Sequence, residues 1–86
     1  MRILVIDDSV VYRTGIAEVL RSAGHEVIGL ARNGRDGLDQ AQRLTDIHLI
    51  ICDMEMPLMN GLQFIEEFRK GNWKTKILVF SSVSQK

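Results

Sequence analysis

The chain has 86 residues, 45% of them apolar, with 11 basic and 11 acidic side chains. That length supports one domain, and so small a domain withdraws only about 60–65% of its unfolded surface from water, which leaves a thin stability margin. The balanced charge gives no basis for direct nucleic-acid binding, and no apolar run nears the roughly 18–20 residues needed to cross a bilayer.

The N-terminus carries one basic residue before paired aspartates at Asp7 and Asp8, which is not the pattern of a secretory signal. The single cysteine, Cys52, cannot close an internal disulfide and fits a reducing compartment. A soluble, cytoplasmic chain is expected.

Four short apolar runs recur: Ile3 to Ile6, Val27 to Leu30, Ile47 to Cys52 and Ile77 to Phe80. They are rich in Ile, Val and Leu and lack polar-apolar alternation, as strands buried on both faces do. The first runs into Asp7-Asp8. Ser9 then offers an N-cap, and Tyr12, Ile16, Leu20 and Ala23 mark one face of a helix that Gly24 stops. After the second strand, Asn33 is a candidate cap for a helix from Gly34 to about Arg43, marked by Leu38 and Ala41 and weakened by two glycines. The third strand runs through Cys52 into Asp53. Asn60 and Gly71 bracket a third helix, on which Leu62, Ile65 and Phe68 step by three and Phe64 flanks them. Trp73 precedes the fourth strand and is expected to cover an apolar edge.

The order is βαβαβαβ. Strands joined by helices run parallel, and right-handed crossovers place helices on both faces. A doubly wound α/β sheet follows, with its functional crevice at the carboxyl ends of the strands.

Two of those ends carry acid. If the first and third strands are neighbours, Asp7, Asp8 and Asp53 converge, and two such charges about 5 Å apart repel by roughly 3 kcal/mol at an effective dielectric near 20. The cluster must bind a cation, pair with a basic residue or take up protons. No lysine or arginine lies near enough in sequence to pair obviously with it. Oxygen ligands open to water suit Mg²⁺ better than Zn²⁺. The plainer reading is that Asp7 and Asp8 cap a helix and Asp53 begins a loop, but a third acid on a neighbouring strand end counts against it. Cys52 reads as a small apolar core residue. His25 and His48 read as structural or surface residues, and Met54, Met56 and Met59 as loop packing.

Three separated blocks resemble the CheY-like receiver domains of response regulators. Ile3-Leu4-Val5-Ile6-Asp7-Asp8-Ser9 is similar to their opening, and Asp53-Met54-Glu55-Met56-Pro57 with Met59-Asn60-Gly61 to their acceptor loop. Val79-Phe80-Ser81-Ser82 is similar to their fourth-strand end. Together the blocks span Arg2 to Ser82. Ala31-Arg32-Asn33-Gly34 and the acceptor loop are also similar to the receiver part of chemotaxis methylesterases.

The resemblance implies a flavodoxin-like sheet and a two-component signalling module that is a phospho-acceptor rather than an enzyme. Asp53 would take a phosphoryl group from a sensor histidine kinase. Mg²⁺ would be held by Asp7, Asp8, Asp53 and the backbone carbonyl of Glu55, with Asp7 acting through water. Ser81 would donate its hydroxyl to the phosphoryl group, and Pro57 and Gly61 would shape the acceptor loop.

Residues 1–86 would then be the N-terminal portion of a receiver domain, without the fifth strand, the last helices and the fifth-strand lysine. Lys86 is too close in sequence to Ser81 to stand in for that lysine, so phosphoryl uptake is expected to be weak or lost while Mg²⁺ still binds. The fourth strand would become an open edge, inviting a longer parent chain or a homodimer through that edge or the first helix. Two rivals stay open. One is an interaction or dimerisation module that no longer cycles phosphate. The other is a Mg²⁺-dependent aspartyl phosphohydrolase, against which Ser9 stands where such an enzyme would place a second acid.

Overall fold

The computed structural model describes residues 1–72 and 74–81. Their elements alternate as β1 (Arg2–Ile6), α1 (Val10–Ser22), β2 (Glu26–Ala31), α2 (Gly34–Arg43), β3 (Leu49–Asp53), α3 (Gly61–Arg69) and β4 (Lys76–Phe80). All strands pair in parallel, in the order β2-β1-β3-β4. Successive side chains of a strand face opposite sides of the sheet, and β1 uses both. Leu4 and Ile6 join Ile50, Cys52, Ala41, Phe64 and Phe68 under α2 and α3. Ile3 and Val5 join Ile51, against which Ile16 and Leu20 of α1 pack. The doubly wound sheet expected from the sequence is therefore the one observed.

The helix ends follow from their capping residues. Ser9 accepts from the Tyr12 N–H at 3.3 Å and Asn33 from the Asp36 N–H at 2.7 Å. Asn60 and Gln63 form a reciprocal capping box. At the end of α1, Gly24 takes φ 90°, the His25 N–H reaches the Leu20 carbonyl, and the Gly24 N–H reaches Arg21. This is the Schellman arrangement, and the positive φ explains the glycine.

Three expectations need correction. Tyr12 and Ala23 do not lie on the buried face of α1. Tyr12 is half exposed and Ala23 exposed, and the residue sealed against the sheet is Ala17, whose small side chain permits close approach. On α3, Leu62 faces solvent, while Phe64 is fully buried with its ring stacked 5.7 Å from that of Phe68. Ile47 and His48 precede β3 instead of opening it, because Asp46 turns the chain at φ 57°. Arg2 clamps that turn, donating to the Thr45 and Asp46 carbonyls at 3.1 Å each. His48 accepts the Arg2 N–H on Nδ1 at 3.0 Å and returns its own N–H to the Arg2 carbonyl.

The glycines of α2 mark contacts, not weakness. A Cβ on Gly37 would overlap the Ile6 side chain, and one on Gly34 would overlap the Met59 carbonyl. At the far side of the sheet β4 lies on the edge, with Leu78 exposed. Trp73 and Ser82 lie outside the described residues.

Candidate functional site

The sheet order reverses between β1 and β3, and the acids stand at that point. Ile6 is in register with Cys52, so the next residues, Asp7 and Asp53, come side by side at the carboxyl ends. Both are fully buried, whereas Asp8 is exposed. Asp7 stays in line because its N–H continues the ladder to the Ala31 carbonyl at 3.0 Å. Its Oδ1 accepts the Ser9 N–H at 2.8 Å, and Asp53 Oδ1 accepts the Glu55 N–H at 3.2 Å.

One carboxylate oxygen from each of Asp7, Asp8 and Asp53 lies within 4.8 Å of the others. Among the described residues Asp7 Oδ2 is the buried side-chain atom without a hydrogen-bond partner, a state that costs about 1–3 kcal/mol when nothing compensates it. Burial pushes the Asp7 carboxyl above its ordinary range. The Ser9 N–H draws it partly back, and the charges of Asp53 and Asp8 push it up again. A hard divalent cation suits such a donor set, since it satisfies the orphaned oxygen and relieves the crowding at once. Cys52 has a different fate. Burial first, then the charges of Asp53 and Asp7, push its thiol up to about 12, so it remains protonated and inert, as a core residue.

The acceptor loop is tightly built. Gly61 closes it by donating to the Met54 carbonyl at 2.9 Å, and a Cβ there would sit 2.9 Å from the Asp53 carbonyl. Leu58 takes φ 71°, and the Met59 N–H turns back to Pro57 at 2.7 Å. A left-handed non-glycine residue costs of order 1–3 kcal/mol, a form of strain that clusters at functional loops. Between this loop and Asp8 lies an open hollow of about 610 Å³, lined by Met54, Glu55, Met56, Pro57, Asn60 and Leu62. Ser81 follows Phe80, the register partner of Asp53. It is exposed, and its hydroxyl has no hydrogen-bond partner among the described residues. Asn33, the expected cap, caps α2, and Gly34 gives that helix its close contact with Met59.

One residue escaped the sequence reading. Arg13, on α1, reaches back so that Nη1 donates to the Asp7 carbonyl at 2.8 Å. The available signal was a basic residue near a helix N-terminus, where the macrodipole disfavours it.

A doubly wound parallel sheet with three aspartates gathered at its switch point defines the class: an α/β domain with an acidic crevice at the carboxyl ends of its strands. Residues 3–86 match the response regulator receiver domain family. The chain is 44% identical over 70 residues to a protein-glutamate methylesterase/protein-glutamine glutaminase of Desulfotalea psychrophila, covering 80% of the chain and 19% of that protein. It is 34% identical over 84 residues to the chemotaxis protein CheY of Thermotoga maritima, covering 98% and 69%. The structure of the response regulator protein TrrA from Thermotoga maritima in complex with Mg²⁺-BeF superposes with a TM-score of 0.88 at 35% identity, covering 96% of this chain and 70% of that one. The chain belongs to the response regulator receiver domain family, with the flavodoxin-like fold of its CheY-like members.

It spans about a fifth of the length of the methylesterase-type relatives. Domains of this family are regulatory parts of two-component proteins, bind Mg²⁺ at an acidic pocket and interact with histidine kinases and other partners. The homodimer expected through the β4 edge or α1 finds no support in these relatives. No described helix is long and apolar enough to cross a membrane.

Proposed function

We propose that this chain is the N-terminal portion of a cytoplasmic phospho-acceptor domain, and that Asp53 receives a phosphoryl group from a phosphohistidine of a sensor histidine kinase. The observation that carries the proposal is the buried Asp7, whose Oδ2 has no hydrogen-bond partner among the described residues and which offers a carboxylate oxygen within 4.8 Å of ones from Asp8 and Asp53.

Asp7, Asp8 and Asp53, with the carbonyl of Glu55, are the groups that would hold Mg²⁺. When bound, the ion supplies positive charge where phosphoryl oxygens collect beside a carboxylate. A carboxylate oxygen of Asp53 forms the new O–P bond as the donor's N–P bond breaks, and the released imidazole nitrogen takes up a proton from solvent. The other Asp53 oxygen, Oδ1, is steadied by the Glu55 N–H. Ser81, one residue beyond the strand partner of Asp53, would donate its hydroxyl to a phosphoryl oxygen and so link β4 to the modification.

The test is to incubate the chain with a small acyl-phosphate donor, with and without Mg²⁺, and to follow intact mass. A slow, Mg²⁺-dependent gain of one phosphoryl group, absent from Asp53→Asn, is expected. No gain at saturating donor would favour a pure interaction module. A gain that survives Asp53→Asn removes Asp53 as acceptor, and steady turnover of a generic phosphate ester would point to a phosphohydrolase.

A further inference from the structure

Arg13 has no part in the phosphotransfer chemistry, yet it is placed against local preference. It lies in the N-terminal part of α1, whose first turn holds no acid, and the unpaired N–H groups there make a cation unfavourable; the acids able to offset its charge, Asp7 and Asp8, stand just before the helix. A residue that breaks a local rule in this way is held by something else. Half-buried, it gives Nη1 to the Asp7 carbonyl at 2.8 Å.

That bond completes the immobilisation of Asp7. Its N–H is tied to Ala31 at 3.0 Å, its Oδ1 to Ser9 at 2.8 Å and its carbonyl to Arg13, so that among the described residues Oδ2 alone of its polar atoms is without a hydrogen-bond partner. The Asp7 carbonyl also shares one rigid peptide plane with the Asp8 N–H. Holding the carbonyl therefore fixes the rotation of that plane, and with it the backbone from which the exposed Asp8 carboxylate departs.

We propose that Arg13 is a positioning residue for the cation site: by locking the Asp7–Asp8 peptide plane, it makes both carboxylates meet Asp53 at one point. This rests on the reading of the three acids as a Mg²⁺ site and names a residue outside the ligand set that governs it. Two effects of Arg13 oppose each other. Its guanidinium charge repels a divalent cation, so simple removal of charge would tighten Mg²⁺ binding. Loss of the peptide lock would loosen the ligands and weaken binding. The sign of the change separates them.

The test is the Mg²⁺ affinity of the chain by isothermal titration calorimetry, alongside thermal unfolding without metal, for Arg13→Met and Arg13→Lys. Removing an outer partner of a metal ligand weakens affinity by roughly 10–100-fold. Arg13→Met is expected near the lower end, with its metal-free unfolding midpoint little changed. Lysine, able to offer one N–H to the same carbonyl, is expected to recover part of the loss. If Arg13→Met fails to fold, Arg13→Gln, whose amide is too short to reach Asp7, carries the same expectation. Equal or tighter Mg²⁺ binding in the neutral variant overturns the proposal. Absence of Mg²⁺ binding in the unaltered chain overturns the metal reading itself, which is a distinguishable result.

Discussion

Asp7 shows how a side chain can oppose folding and yet be kept. It is fully buried, one of its oxygens lacks a hydrogen-bond partner among the described residues, and two other carboxylates stand within 4.8 Å. Asparagine at this position would still accept the Ser9 N–H on its oxygen, while its amide could donate toward Asp8 or Asp53. Asp7→Asn is therefore expected to stabilise the metal-free chain by about 1–2 kcal/mol, less than the roughly 3 kcal/mol of bare pairwise repulsion at an effective dielectric near 20 because water and side-chain motion already relieve some of it. Urea unfolding in the presence of a chelator measures this, and a loss of stability there would show that crowding does not dominate the cluster. The same variant is expected to lose most of its stabilisation by Mg²⁺. The three acids were legible in the sequence because each stands at the end of an apolar strand, so topology alone brought them together. Arg13 was not, because its role depends on how far a long side chain folds back across the β1–α1 turn. Nor was the left-handed Leu58, since nothing about leucine announces positive φ.

The helices divide their glycines between tolerated and required positions, and this division can be measured. Gly15 lies on the exposed side of α1, where an added Cβ would meet nothing within 4 Å. Gly15→Ala is expected to stabilise the chain by about 0.5–1 kcal/mol through helix propensity alone. Gly37→Ala brings the same propensity gain but drives a methyl group into Ile6, and overpacking of that kind costs about 1–3 kcal/mol. Gly34→Ala should be worse still, because its obstacle is the backbone of Met59, which cannot swing aside as a side-chain end can. Chemical denaturation of the three variants should rank them Gly15→Ala, Gly37→Ala, Gly34→Ala in falling stability. If all three proved equal, close helix approach would not be what holds α2 against Ile6 and the acceptor loop. Element order, capping residues and helix stops were readable in advance because each rests on a local rule: a side-chain acceptor at Ser9, Asn33 or Asn60, and a left-handed glycine at Gly24. The buried faces were less readable. Three-residue spacing selected Leu62, and four-residue spacing with Ile16 and Leu20 selected Tyr12, whereas burial was decided by where each helix crosses the sheet, which favoured Phe64 and the small Ala17.

In the molecule as a whole, the two ends of the sheet do different work. At one end Arg2 and His48 stitch β1 to the turn before β3, and at the other three acids crowd together beside a strained loop, at a cost in stability. A ligand that binds only the native state should return that stability, by about 2.7 kcal/mol at a hundred times its dissociation constant, or roughly 10–20 °C in the midpoint of a domain this size. The gain should depend on pH in a direction fixed by Asp7. Its folded pKa is raised above the ordinary 3.8, so in the metal-free chain the native state binds this proton more tightly than the unfolded state. The stability it contributes is complete below the unfolded pKa and is lost as pH rises through the folded one. Mg²⁺ needs the same carboxylate ionised, so the ion competes with the proton and its effect must run the other way. Differential scanning calorimetry with Mg²⁺ and with chelator, from about pH 8 down toward the ordinary carboxylate range, should show two midpoints well separated at high pH that converge as Asp7 takes up its proton. Curves that stayed parallel across the whole range would mean that the ion does not compete with the Asp7 proton, and that Asp7 is not among the groups that hold it.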